Sequence, residues 1–188
     1  MKKDIVRKAY LKKRQGLSSS ELEEGSSQLI QDTIELIKKY KPECIHCFLP
    51  IHSKGEINTT PIIQYCWKNN ISVVVPVSNF ENGTLQNAEF RPHTKTKQTK
   101  NNITEPVDPI WGKNDNISIV ITPLLAFDPQ GYRVGYGKGF YDRFFASLHK
   151  DVKRIGISFF KPCKSIENIN EYDIPLTHCV TPDKTYSF

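Results

Sequence analysis

The chain has 188 residues, of which 38% are hydrophobic and 24% are charged, which is the size and composition of one globular domain spanning residues 1–188. No run of about 18 apolar residues occurs, which excludes a membrane-spanning helix. No apolar segment follows the basic start of the chain, so a secretory signal is not expected. The odd number of cysteines, five, is typical of reduced thiols. We therefore expect a cytoplasmic protein with no membrane partner.

The net charge of +6 comes from residues 1–14, where the only acidic residue is Asp4. A nucleic-acid-binding protein usually has a broader basic stripe. A basic run of this kind is most often a solvated helix face, and it can also hold a phosphate-rich small molecule. Lys3 and Arg7 are four residues apart and so share one helical face, which makes them the best candidates to bind one anion together.

Hydrophobic periodicity predicts alternating helices and strands in the first part of the chain. One helix is predicted over 3–14, and a second, capped by Ser18 or Ser19, runs to Tyr40. Buried strands are predicted at 44–49 and 72–77, with a helix over 59–69 between them. This order predicts parallel pairing of the two strands.

The second part of the chain, from residue 78 onward, completes the prediction of a single α/β domain. Residues 78–116 are polar, with an antiparallel excursion predicted at 84–90 and an exposed loop at 92–100. Further predictions are strands at 117–121 and 154–159, a helix over 140–149 and an edge strand at 178–180. The predicted fold class is therefore α/β, with a mostly parallel open sheet flanked by helices in a Rossmann-like three-layer arrangement.

The segment 123–143 is the most informative about chemistry, because it follows a buried strand and opens a helix. Its three alternating glycines, between 135 and 139, let backbone N–H groups cradle an anion. Bare glycine alternation is more often a turn, and it matches neither of the common nucleotide-binding fingerprints. Arg133 and Lys138 add positive charge, however, and Asp142 is placed where a carboxylate can hold a metal ion near bound phosphates. We therefore predict an anion site here.

The sequence Arg-Val-Gly-Tyr-Gly-Lys-Gly-Phe-Tyr-Asp at 133–142 resembles the signature of the 5-formyltetrahydrofolate cyclo-ligases, also called 5,10-methenyltetrahydrofolate synthetases. The resemblance extends to Lys3 and Arg7, to 48–50 followed by Glu56, to 102–106 and to Asp173. It implies an enzyme that converts 5-formyltetrahydrofolate to 5,10-methenyltetrahydrofolate with MgATP. It also implies a phosphorylated formyl oxygen on the way and the release of ADP and phosphate.

The resemblance also implies roles for individual residues. Folate contacts map to Ile51, Glu56 and Tyr141, and magnesium ligands to Asp142 and Asp173. Arg133 and Lys138 are the implied catalytic groups. ATP contacts map to Lys3, Arg7, Arg133, Gly135, Tyr136, Gly137, Lys138, Gly139, Phe140 and Tyr141.

One departure from the family pattern concerns the folate side. Asn101 and Asn102 stand where we expect an aromatic residue or glycine. An aromatic contact to folate is therefore expected elsewhere, from Trp111 or Phe127.

Two other functions stay open on the sequence alone. A basic nucleic-acid-binding module is favoured by the N-terminal charge and by three lysines between 95 and 100, but the chain lacks clustered surface aromatics. An ATP-dependent kinase or ligase of another small molecule would share the ATP site and differ only in its acceptor.

Zinc at Cys44 and Cys47 is not expected, because a structural site takes four ligands. We expect a monomer without a nucleic-acid partner.

Overall fold

The computed structural model describes residues 1–188 and contains four helices, eleven strands and one 3-10 turn at His52–Lys54. The helices are α1 Lys3–Gln15, α2 Ser19–Tyr40, α3 Thr60–Lys68 and α4 Phe140–Ala146. The strands are β1 Cys44–Cys47, β2 Ser72–Asn79, β3 Thr84–Glu89, β4 Thr96–Gln98, β5 Thr104–Pro106, β6 Ile117–Pro123, β7 Ala126–Phe127, β8 Arg133–Val134, β9 Lys153–Ile157, β10 His178–Val180 and β11 Thr185–Ser187.

Seven strands form one sheet in the spatial order β11-β10-β9-β6-β1-β2-β3. The five central strands are parallel, and one antiparallel strand flanks them at each edge. Central strands such as β1 and β6 are nearly continuous apolar runs, because both faces of a parallel sheet are covered. The predicted mostly parallel open sheet is confirmed.

Helices cover both faces of this sheet and produce the predicted three layers. Leu29 of α2 packs in the same apolar cluster as Ile119 of β6. The next residue, Val120, points to the opposite face, as alternation along a strand requires, and there it packs with Phe144 of α4. Helix α1 lies apart from these layers and packs on the β7–β8 hairpin.

Helix α2 begins where the sequence predicts. Ser18 Oγ accepts a hydrogen bond from the Glu21 N–H, and the Glu21 carboxylate accepts one from the Ser18 N–H. This reciprocal capping box satisfies two N–H groups that the first helical turn would otherwise leave unpaired. The helix ends at Tyr40, and the next residue, Lys41, adopts the left-handed conformation just before Pro42.

Two predictions in the polar regions are wrong. The segment predicted as a loop at 92–100 contains β4, whose three residues are all exposed, so no apolar periodicity marks it. Strand β10 is not the edge of the sheet, because β11 pairs outside it. The predicted antiparallel excursion is confirmed as β3, which pairs with β2.

All five cysteines are free and buried. Burial raises the pKa of Cys44 to about 11 and that of Cys66 to about 12. These thiols therefore stay protonated and behave as small apolar side chains. None of the four helices combines the length and apolar character that crossing a membrane requires.

The close packing around Gly156 in β9 gives a test of the fold. A Cβ at this position would lie 2.6 Å from Leu176 Cδ1 and 2.7 Å from Leu124 Cδ2. Gly156→Ala must therefore push the core apart, and we expect it to lower the free energy of unfolding by about 1–3 kcal/mol, as measured by urea denaturation. Gly16→Ala is the matched control, since its Cβ would make ordinary contacts at 3.5 Å. Equal urea midpoints for Gly156→Ala and the wild type would contradict this packing.

Candidate active site

A pocket of about 560 Å³ opens at the carboxyl end of the central parallel strands. Its wall includes Phe48 just after β1, Ser78 near the end of β2 and Pro123 at the end of β6. Ligands bind at this edge in open α/β sheets. All the residues for which the family resemblance implies a role line this one pocket: Lys3, Arg7, Ile51, Glu56, Arg133, Gly135, Tyr136, Gly137, Lys138, Gly139, Phe140, Tyr141, Asp142 and Asp173.

Helix α1 supplies two of the cations at the pocket. Its apolar face packs on the β7–β8 hairpin, which leaves Lys3 and Arg7 beside the glycine loop. Lys3 Nζ lies 2.5 Å from Asp173 Oδ2. Arg7 Nε donates to the Gly135 carbonyl at 3.0 Å, and its guanidinium also pairs with Asp4. Both charged groups are therefore held at defined positions.

The glycine loop, residues 135–139, has a backbone that requires glycine at two positions. Gly137 and Gly139 have φ values of +93° and +67°, a region in which residues with a Cβ are strained. A Cβ on Gly137 would also lie 3.1 Å from Arg7 Cζ. Between these glycines, the exposed Lys138 side chain makes no hydrogen bond or ion pair and lines the pocket. Its ammonium is free to meet a ligand.

Arg143 joins the glycine loop to the β2–β3 hairpin. Its Nε donates to the Gly83 carbonyl at 2.6 Å, and its Nη2 donates to the Lys138 carbonyl at 2.5 Å. Beside it, Phe80 of the hairpin turn meets Phe140 edge to face, with ring centroids 5.3 Å apart. These contacts fix the hairpin as one wall of the pocket.

Two of the three acidic residues of the pocket, Asp142 and Asp173, are linked through Ile174. Arg133 Nη2 donates to Asp142 Oδ1 at 2.9 Å, and its Nη1 donates to the Ile174 carbonyl at 2.6 Å. The Ile174 N–H donates to the same Asp142 oxygen at 3.2 Å. Asp173 precedes Ile174 in the chain and binds Lys3 through Oδ2. The other oxygen of each carboxylate accepts no hydrogen bond from the protein and is available to a ligand.

Glu56 is held from two directions. Its Oε2 accepts a hydrogen bond from the Ile51 N–H at 2.8 Å, and its Oε1 accepts one from the Tyr136 hydroxyl at 2.7 Å. Burial raises the pKa of Glu56, while both hydrogen bonds and the charges of Arg14 and Lys54 act in the opposite direction. A carboxylate oxygen accepts two hydrogen bonds, so each oxygen keeps room for one more donor.

His46 also belongs to the site, although its position within the apolar run of β1 gives no sequence signal for this. It is fully buried, with Nδ1 2.7 Å from Asn87 Oδ1 and Nε2 3.2 Å from Tyr141 Oη. Since the amide oxygen only accepts, Nδ1 carries the proton, and Nε2 accepts the Tyr141 O–H. His46 therefore fixes the direction of a side chain that lines the pocket.

The aromatic contacts expected from Trp111 or Phe127 are not at this pocket. Trp111 is exposed and borders a separate cavity, whereas Phe127 is fully buried against Tyr186. Apolar lining comes instead from residues that sequence analysis left unassigned: Phe48, Leu49, Phe80, Leu85 and Ile103.

Comparison with known proteins decides the family. Residues 1–182 match the model of the 5-formyltetrahydrofolate cyclo-ligase family. The chain belongs to this family. The resemblance drawn from the segment 133–142 is confirmed, and so is the enzyme class, a ligase acting in folate chemistry.

Individual cyclo-ligases resemble the chain along most of its length. A 5-formyltetrahydrofolate cyclo-ligase of Haemophilus influenzae is 30% identical over 182 residues, covering 93% of this chain and 95% of that protein. The one from Escherichia coli K12 is 32% identical over 143 residues, or 71% and 76% of the two chains. A 5,10-methenyltetrahydrofolate synthetase structure from Aquifex aeolicus superposes with a TM-score of 0.81 at 26% identity, covering 100% of this chain and 93% of that one.

The buried His46 of this cyclo-ligase predicts a pH-dependent stability. Burial lowers its pKa from 6.5 to about 4, so between these values the unfolded chain binds a proton that the folded protein does not. The free energy of unfolding should therefore fall as pH drops through this range, by a few kcal/mol from this group. His46→Gln lacks this titrating group. Its free energy of unfolding, measured by urea denaturation, should therefore fall less than that of the wild type when the pH is lowered from 7.5 to 4.5.

The control for this measurement is His93→Gln, because His93 is exposed. Its stability difference from the wild type should stay small at both pH values. A difference for His46→Gln that does not change with pH would show that the folded protein protonates His46 as readily as the unfolded chain.

Proposed function

We propose that this cyclo-ligase uses ATP and Mg²⁺ to close 5-formyltetrahydrofolate to 5,10-methenyltetrahydrofolate, with release of ADP and phosphate. The observation that carries the proposal is the composition of the pocket. An anion-binding loop, cations from α1, two carboxylates and Glu56 line a single cavity, although Lys3 and Asp173 are 170 residues apart in the chain. One cavity for all these groups is what a reaction between a nucleotide and a second substrate requires.

The phosphates of ATP are assigned to the side of the pocket that carries the positive charge. Lys3, Arg7 and Lys138 surround the glycine loop, where no side chain at 137 or 139 blocks the backbone. Backbone N–H groups and fixed cations together are the usual means of binding phosphate. The unpaired ammonium of Lys138 is the group most available to the transferred phosphoryl group.

The carboxylates of Asp142 and Asp173 fit Mg²⁺. This ion prefers oxygen ligands and is usually held by one or two carboxylates together with substrate phosphates. Each of these side chains has one oxygen without a protein partner, and both line the pocket with the phosphate-binding cations. Bound there, the ion would neutralise negative charge on the phosphates, while Arg133 orients the Asp142 carboxylate.

Folate is assigned to the part of the pocket around Glu56, Ile51 and Tyr141. The two oxygens of Glu56 are oriented by the Ile51 N–H and the Tyr136 hydroxyl and keep acceptor capacity for the amino-pyrimidine edge of a pterin. The apolar wall next to them includes Phe48. This combination of an apolar wall and a few oriented polar groups is typical of small-molecule sites.

The chemistry requires activation of the formyl oxygen, which is a poor leaving group in a formamide. The bond from the γ-phosphorus to ADP breaks, and a new bond forms to the formyl oxygen. N10 of the folate then attacks the formyl carbon and loses its proton, and the carbon–oxygen bond breaks as phosphate leaves. The protein's part in phosphoryl transfer is positioning and charge stabilisation, which Lys138 and Arg133 supply.

We also propose that the enzyme acts as a monomer in the cytoplasm and without a nucleic-acid partner. All the residues assigned to the reaction line a pocket within one chain. The free thiols of all five cysteines suit a reducing compartment.

The direct test is to mix the protein with 5-formyltetrahydrofolate, ATP and Mg²⁺ and to follow the near-ultraviolet absorbance of the methenyl product. We expect product only when ATP and Mg²⁺ are both present. If a folded protein binds ATP but forms no product, the acceptor is a different small molecule, and the folate assignments are wrong.

Lys138→Ala tests the phosphate assignment. Because the side chain is exposed and makes no hydrogen bond or ion pair within the protein, we expect an unchanged melting temperature. Removing one charge that stabilises the transition state should lower kcat by roughly 100- to 1000-fold. Lys150→Ala, an exposed lysine outside the pocket, should keep wild-type turnover. Unchanged kcat in Lys138→Ala would remove this residue from the phosphoryl-transfer site.

A further inference from the structure

Arg14 differs from its neighbours in the basic N-terminal segment because it is buried, with 5% of its surface exposed. Its Nη1 donates to Tyr136 Oη at 3.2 Å, its Nη2 donates to the Leu124 carbonyl, and its Nε has no partner. No carboxylate forms an ion pair with it. A buried charge that lacks a full set of partners lowers the stability of the folded protein. Arg14 is therefore a candidate for a functional role in the neighbouring pocket.

A chain of hydrogen bonds leads from Arg14 to the pocket. Tyr136 Oη accepts a hydrogen bond from Arg14 Nη1 and donates one to Glu56 Oε1 at 2.7 Å. Burial raises the pKa of Tyr136, so the hydroxyl keeps the proton that it donates. The three residues belong to the end of α1, the glycine loop and the segment after β1, and they meet only in the folded protein.

Several other groups act on Glu56, and Arg14 differs from each of them. Lys54 is exposed, with its ammonium 4.1 Å from the centre of the Tyr136 ring, so water screens its charge. Tyr141 is neutral, because burial raises its pKa well above the ordinary value. Arg14 is the buried cation of the group, and its effect on Glu56 is weakened least by solvent.

We propose that Arg14 is a positioning residue for the reaction: acting through the Tyr136 hydroxyl, it keeps the Glu56 carboxylate ionised and aimed into the pocket for the folate. This inference rests on the proposed role of Glu56 in folate binding. Under this proposal α1 serves both substrates. Arg14 near its C-terminal end acts on folate binding, and Lys3 and Arg7 near its N-terminal end bind the phosphates. Loss of Arg14 should weaken binding of folate and leave binding of ATP nearly unchanged.

The first experiment is a double-mutant cycle on the dissociation constant of 5-formyltetrahydrofolate, measured by calorimetry on the full chain. Arg14→Met removes the charge at similar length, and Tyr136→Phe removes only the hydroxyl. We expect each variant to bind folate roughly 10-fold more weakly. If Arg14 acts through Tyr136, the double variant should bind about as weakly as either single one. Losses that multiply would overturn the proposal.

The pH dependence gives a readout that a merely structural role would not change. Removing the positive charge of Arg14 raises the pKa of Glu56. As the pH is lowered, Arg14→Met should therefore lose its affinity for folate at a higher pH than the wild type does. Arg14→Lys keeps the charge and should restore most of the wild-type pH profile. Identical profiles for Arg14→Met and the wild type would contradict the proposal.

Glu56→Gln separates failure of this inference from failure of the proposed function. If Glu56→Gln binds folate as well as the wild type does, the assignment of Glu56 to folate is wrong. If Glu56→Gln weakens folate binding but Tyr136→Phe does not, the assignment stands and the inference about Arg14 is overturned. Tyr136→Phe retains the ring, so it can overturn the inference about Arg14 even if Arg14→Met does not fold.

Discussion

The parallel pairing of β1 with β2 and β6 is the constraint on which the rest of the structure depends. Ile45 lies opposite Val73 on one side and Ile119 on the other, and the apolar side chains of these strands are buried under helices. The same pairing brings the carboxyl ends of three strands to one edge, and the chain leaves each strand there into a pocket wall. The same strand pairing therefore both builds the apolar core and positions the site.

The parallel sheet also explains why polar groups under the pocket occur in connected sets. A fully buried side chain such as His46 is tolerated only if both ring nitrogens have partners, and these partners are Asn87 on β3 and Tyr141 on α4. Arg143, an exposed side chain, connects the β2–β3 hairpin to the glycine loop through two backbone carbonyls. Both sets of hydrogen bonds join walls of the pocket and therefore help to set its width.

The sequence predicts best the features whose cause is local. Apolar runs mark the central strands, the serines at 18 and 19 mark the start of α2, and the signature at 133–142 marks the glycine loop. Strand β4 could not be predicted, because three exposed residues carry no periodicity. The partners of His46, and the contact of Arg14 with Tyr136 across 122 residues, depend on tertiary folding. The residues of the candidate site were thus recognisable by type, while the connections between them were not.

The ion pairs at the pocket bear on how its substrates enter. Lys3 pairs with Asp173, and Arg133 pairs with Asp142; each pair joins a group assigned to phosphate with a group assigned to the metal. Binding phosphate alone would place negative charge beside these carboxylates, which is unfavourable. Binding the metal alone, through the carboxylate oxygens that have no protein partner, would place positive charge beside the paired cations. When nucleotide and metal arrive together, each offsets the charge that the other adds. Under the proposed function, MgATP as a complex is therefore the form of nucleotide that this pocket suits, and the ion pairs between its walls are the reason.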